Sequence, residues 1–357
     1  MPDRPFSVPL SDHALVGMVV VLLVLMLLPF YPGWSVQESY LESSGDEPQM
    51  SFIHHQTFVD QTPLDVLIAG GSYAWNGLDP KVLEQAFSER YRRPFRAINI
   101  ALNEGKDQTY LFVKNLTMRR KVRMVIINDF FSPISTPHEN AFRRWLLTEH
   151  WNLMGQLPIK SSFGFYTESI LGAPRHLLSL LRPNRPAHLP ERQKFFESNG
   201  FNPLRGNFRN LTQFTDFNPE LLPLPAEELF YRDDLQEKYF FKNESPDETL
   251  LIIQRALARH LRDMGIELVY VHIPRYHLVY GGHRVEANFN PLRWIGPDDE
   301  YLAAPRSRLF AGLGDADLQR LYFNNHLNEN GARAFTRQLM PALAQLLDRL
   351  QEEGNFK

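Results

Sequence analysis

Cysteine is absent from all 357 residues, which excludes disulfides, thiolate metal sites and a cysteine nucleophile. A strong charge of either sign is lacking too. With 38 Lys and Arg against 41 Asp and Glu, the formal net charge is −3, and no electrostatic footprint for nucleic acid exists. No internal repeat is visible, and beyond one N-terminal stretch there is no second long apolar run, which excludes a multi-pass membrane protein. What remains is a chain long enough for one large or two small domains with ample core.

The N-terminal stretch is distinctive. Residues 14 to 30 carry no charge, and the uncharged sequence continues through Tyr31 and Trp34 to Gln37. A helix over those seventeen residues rises roughly 25 Å, against a hydrocarbon core of about 30 Å. Tyr31 and Trp34, as interfacial aromatics, extend the expected anchor to 14–34. Pro29 to Trp34 offers no small-x-small cleavage site, so an uncleaved transmembrane helix is favoured over a signal peptide. Residues 1–13 then form a short cytoplasmic tail and the polar residues 35–62 a linker, leaving residues 63–357 as a folded domain on the outer side.

Within that domain, Asp65 to Ala69 reads as a buried strand, Pro80 to Tyr91 as a helix, and Arg96 to Ala101 as a second strand. Asp107 to Arg120 reads as a second helix and Val122 to Ile127 as a third strand. Such βαβαβ alternation implies a parallel sheet of the α/β class. The pattern is lost over about 134–245, a Pro-rich and aromatic-polar insertion with helical segments expected at Glu139–Leu153 and Glu168–Leu181. It resumes with a helix at Asp247–Met264, a strand at Glu267–His272 and a final amphipathic helix from Ala332 to Leu350.

Two positions carry chemistry. The run Asp65 to Ala69 stops at Gly70-Gly71 and presents Ser72 at the carboxyl end of a strand, where open α/β sheets place their ligands. A serine hydroxyl needs a base. His326 stands on a loop directly ahead of the last helix, which Asn328 is suited to cap. Each has a plainer reading, Ser72 as an ordinary strand-to-helix turn and His326 as a surface histidine. His272, His277 and His283 follow a strand, but their spacing fits no ligand motif and no acidic residue lies among them, so no metal is expected. His54 and His55 read as solvated linker residues. Tyr73 and Trp75, beside the serine, suit either stacking on a sugar ring or core packing.

Taken together these blocks resemble the SGNH, or GDSL-like, hydrolase superfamily. Gly70-Gly71-Ser72 with Gly77 and Pro80 resembles its first block, Asn99 to Gly105 its second, Ile126-Ile127-Asn128-Asp129 its third, and His326-Leu327-Asn328 with Gly331 its fifth. The resemblance implies a three-layer α/β/α flavodoxin-like domain with Ser72 as nucleophile, His326 as base, and an oxyanion site made by the amides of Ser72 and Ala101 and the side chain of Asn128. It implies no cofactor. The family's aspartate three residues before the histidine is replaced here by Phe323, which leaves a backbone carbonyl or Asn325 to orient the imidazole. With the single anchor, the chain is most similar to envelope proteins that work beside membrane-bound O-acyltransferases, as in alginate acetylation or teichoic acid D-alanylation. That likeness implies a bacterial cytoplasmic-membrane protein facing the periplasm, with an O-acyltransferase partner and an envelope polysaccharide as substrate. The alternative is a catalytically silent module that binds glycan or scaffolds the partner.

Overall fold

The computed structural model describes residues 12–27, 37, 40, 48–103, 105, 107–129, 151–167, 189–205, 216–219, 221, 223–228, 247–276, 295–296, 299–303 and 309–352. Its centre is a parallel sheet built from β1 (Leu64–Ala69), β2 (Ala97–Asn99), β3 (Val122–Asn128), β4 (Glu267–Val271) and β5 (Glu300–Leu302). The spatial order is β2-β1-β3-β4-β5, with every neighbouring pair parallel. β1 is buried along its whole length, as a central strand covered on both faces must be. One face carries α2 (Pro48–His54), α5 (Gln108–Thr117) and α8 (Glu248–Asp263), whose apolar side chains pack with Leu64, Leu67, Val125 and Leu268. The other carries α3 (Ser72–Gly77), α4 (Pro80–Tyr91) and α10 (Glu329–Glu352), packed on Val66, Ile68, Met124 and Val269. The expected α/β/α layering is therefore present.

The helix boundaries follow from their caps. Asp79 accepts from the Lys81 amide at 2.9 Å with Pro80 at the first helical position, which starts α4. Asn328 Oδ1 accepts from the Gly331 amide at 3.1 Å and starts α10 three residues earlier than the apolar periodicity alone indicates.

One expectation is corrected, and the N-terminal helix is described over less than the expected span. Residues 48–59 are not a linker: α2 runs into a π-helical turn at His55–Val59, and Met50, Phe52 and Ile53 are buried in the core. His54 and His55 accordingly pack against Phe58 and Phe196, at centroid separations of 5.3 Å each, rather than standing in solvent. At the N-terminus, α1 (Asp12–Leu27) spans only 16 residues, or roughly 24 Å of rise. Among the described residues no helix is long and apolar enough to cross a membrane, and positions 28–34 of the expected anchor lie outside them. The apolar side chains from Leu15 to Val24 are about half exposed.

Of the insertion, α6 (Trp151–Met154) and α7 (Leu189–Glu197) are described, and α7 packs on α2. The helix expected at Glu168–Leu181 and most of that at Glu139–Leu153 lie outside the described residues.

Candidate active site

The serine turn is shaped by a close approach. Gly70 adopts φ +125°, and a Cβ there would lie 2.1 Å from Asn128 Oδ1, so only glycine fits. The same oxygen accepts from the Gly71 amide at 2.9 Å and ties the turn to the end of β3. Ser72 is the first residue of α3, a one-and-a-half-turn helix. Asn99, fully buried at the end of β2, holds that helix by donating to the carbonyls of Ala74 at 2.8 Å and Leu78 at 3.1 Å.

His326 arrives from the opposite end of the chain on a small antiparallel hairpin, β6 (Tyr322–Phe323) and β7 (His326–Leu327). Its two-residue turn needs Asn324 at φ +52°, a conformation asparagine tolerates. The Asn328 amide bonds the Leu321 carbonyl at 2.9 Å, pinning the hairpin to the start of α10. The result is a 2.9 Å contact between His326 Nε2 and Ser72 Oγ, across 254 positions of sequence. Burial, and then the nearby Arg275 guanidinium, hold the imidazole below its ordinary pKa, which keeps it neutral and able to accept a proton at neutral pH.

Among the described residues no carboxylate completes the pair, and the bond to Ser72 is the one hydrogen bond the His326 ring makes. Its flat face instead meets Tyr73, with ring centroids 4.5 Å apart and planes 14° from parallel. The Arg275 guanidinium lies 4.6 Å from the Tyr73 ring centroid. The available acid, Asp129, is engaged elsewhere: its Oδ2 accepts from Tyr301 Oη at 2.7 Å and pairs with His272 Nδ1 at 2.7 Å.

The remaining expected residues fall out as follows. Asn128 does sit at the serine turn, with its carbonyl oxygen committed to Gly71. Ala101 is corrected: its amide donates to Asn99 Oδ1 at 3.0 Å and is not offered to the site. Asn325 is an exposed hairpin-turn residue that makes no hydrogen bond to the His326 ring. Trp75 stacks on Phe195, with centroids 6.1 Å apart, and packs in the core. His272 is tied to Asp129, while His277 and His283 lie outside the described residues; among the described residues no group of three His, Asp or Glu is placed to hold a metal ion.

Two residues escaped sequence reasoning. Gly105 approaches the turn so closely that a Cβ on it would lie 2.1 Å from the Gly70 carbonyl oxygen, and its amide nitrogen is 3.9 Å from where a Gly71 Cβ would stand. Neither its amide nor that of Ser72 donates a hydrogen bond among the described residues, so both are available at the serine turn. The glycine that closes the Asn99–Gly105 stretch was the available signal. Arg275 had none, since it follows β4 without any motif.

No protein-family model matches the chain, and no curated protein does. Among solved structures, one from Streptococcus pneumonia, described provisionally as a platelet activating factor, aligns over 92% of this chain and 99% of its own at 13% identity. Its TM-score of 0.23 is too low for the likeness to specify even a shared fold.

Proposed function

We propose that this protein is a serine-dependent acyl-ester hydrolase or acyltransferase, with Ser72 as nucleophile and His326 as base. The observation that carries this reading is the 2.9 Å contact between Ser72 Oγ and His326 Nε2 at the carboxyl edge of the sheet. In the first half-reaction Oγ attacks the ester carbonyl while Nε2 takes its proton, and that proton then passes to the departing alcohol, leaving acyl-Ser72. In the second, water or an acceptor hydroxyl gives its proton to Nε2 as it attacks the acyl carbonyl, and Ser72 leaves with that proton. The amides of Ser72 and Gly105 would face the developing oxyanion, with Asn128 shaping the turn behind them.

The finer assignment rests on the resemblance to anchored SGNH-like proteins. In that reading the acyl group belongs to an envelope polysaccharide, a membrane-bound O-acyltransferase is the partner, and the domain faces the periplasm from the bacterial cytoplasmic membrane. Support for a membrane location comes from α1, whose apolar side chains are half exposed from Leu15 to Val24.

The test is covalent labelling with a fluorophosphonate ester, located by mass spectrometry. Labelling of Ser72 that His326→Ala abolishes is the expected result; a folded wild-type domain that stays unlabelled sinks the enzymatic reading. The second reading, a silent module that binds glycan or scaffolds the partner, is favoured by the lack of a carboxylate on His326 among the described residues. It predicts no labelling but retained glycan binding by the Ser72→Ala variant.

A further inference from the structure

We propose that Tyr73, held beneath the Arg275 guanidinium, is the positioning residue for the His326 imidazole, a task that serine–histidine sites ordinarily give to a carboxylate. The inference rests on the reading of Ser72 and His326 as nucleophile and base.

With a single hydrogen bond, to Ser72, an imidazole is free to rotate about its Cβ–Cγ bond unless something fixes its plane. The near-parallel Tyr73 ring, 4.5 Å away, supplies that restraint. Tyr73 is itself confined, because it belongs to α3 directly after Ser72 and has Arg275 Cζ 4.6 Å from its ring centroid. The segment that carries Arg275 packs on the same helix: a Cβ on Gly77 would lie 2.8 Å from Ile273 Cγ2. Burial lowers the Arg275 pKa, while Tyr73 and then Asp129, one residue beyond Asn128, favour its charged form.

A carboxylate raises the basicity of its histidine, whereas burial and then Arg275 lower that of His326. Among the described residues, charged groups flanking the hairpin are already engaged, Asp317 by Arg320 at 3.5 Å, Glu329 by Arg205 at 2.8 Å and by Arg333 at 2.5 Å, and Asp79 by Arg333 at 3.8 Å. The π-face of Tyr73 remains to receive the imidazolium formed during the reaction. A site built this way keeps its base neutral to lower pH than a triad does, and it depends on an aromatic ring for geometry.

The experiment compares Tyr73→Leu, Tyr73→Phe and Arg275→Met in the full-length chain. It reads the pH dependence of the fluorophosphonate labelling rate and the His326 ring titration by NMR, with thermal melting as a control for folding. Tyr73→Leu is expected to slow labelling about 10- to 100-fold. Tyr73→Phe, which retains the ring, restores most of that rate. Arg275→Met moves both the acid limb and the His326 titration to higher pH. Wild-type-like labelling of Ser72 in a folded Tyr73→Leu variant, or an unmoved titration in Arg275→Met, overturns the proposal while leaving the serine–histidine reading intact. Failure of the wild type to label defeats that reading instead, and the titration still reports on the stack.

Discussion

The two edges of the sheet treat charge differently. At the amino edge Asp60 and Asp65 each have partners of the other sign. Asp65 receives Arg93 at 2.7 Å, Arg123 at 3.1 Å and the Arg96 amide at 2.9 Å. Asp60 receives Arg96 at 3.0 Å and the fully buried Arg120 at 3.2 Å, and Arg120 also donates to Gln56 Oε1 at 2.6 Å. At the carboxyl edge His326 has a cation near it and no anion bonded to it. Complete pairing gives a rigid foundation with nothing left over to react. Incomplete pairing leaves an imidazole whose proton affinity has something to do.

That contrast is most severely tested at the dyad. Ser72→Ala and His326→Ala are expected to cut fluorophosphonate labelling by about 10³-fold or more with unchanged melting, because a weak nucleophile and its base act as one unit. Next comes Arg120→Ala, which leaves Asp60 to Arg96 alone, takes the donor from Gln56 Oε1 and empties the space of a fully buried side chain at the amino edge. It should cost about 2–5 kcal/mol in urea denaturation while the folded fraction labels at the normal rate. Gly105→Ala drives a Cβ into the Gly70 carbonyl and should slow labelling about 10²-fold, the usual loss for one oxyanion donor. Asp129→Asn is smaller: about 1–3 kcal/mol of stability, read by the same denaturation, as the bonds to His272 and Tyr301 weaken.

The smallest effect is that of pH. His54, His260 and His326 are all held below their ordinary pKa, burial being the largest cause in each case. The unfolded chain therefore binds more protons below about pH 6.5, so this stabilisation is fully present above that value and is lost as pH falls through the folded-state values. Urea midpoints that stay constant between pH 8 and 5 would contradict it.

Much of this architecture was readable in advance because it depends on local rules. β1 is an uninterrupted apolar run apart from Asp65, and Asp79-Pro80 and Asn328 mark helix starts by side-chain chemistry alone. Ser72 and His326 were identified as the ends of such elements. What stayed hidden depends on directions of bonds. Asn99 turns its carbonyl back on the Ala101 amide two residues later and removes a donor that spacing alone had assigned to the site. The short elements α3, β5 and the β6–β7 hairpin carry too few residues to show a period. The buried residues of α2 are interleaved with polar ones and resemble linker sequence until α7 is seen to cover them.

Asn128 and Asp129 are consecutive, yet the first reaches the serine turn beside β1 and the second reaches partners just past β4 and on β5. β3 thus works as a distributor, sending an uncharged group to one neighbour and an anion to the other. A slip of β3 by one step would bring Asp129 to the place of Asn128 and put negative charge at the serine turn, where the proposed reaction would form an oxyanion. The arrangement of this edge is consequently guarded by strand register, and Met124, Ile126 and their neighbours hold that register by their burial.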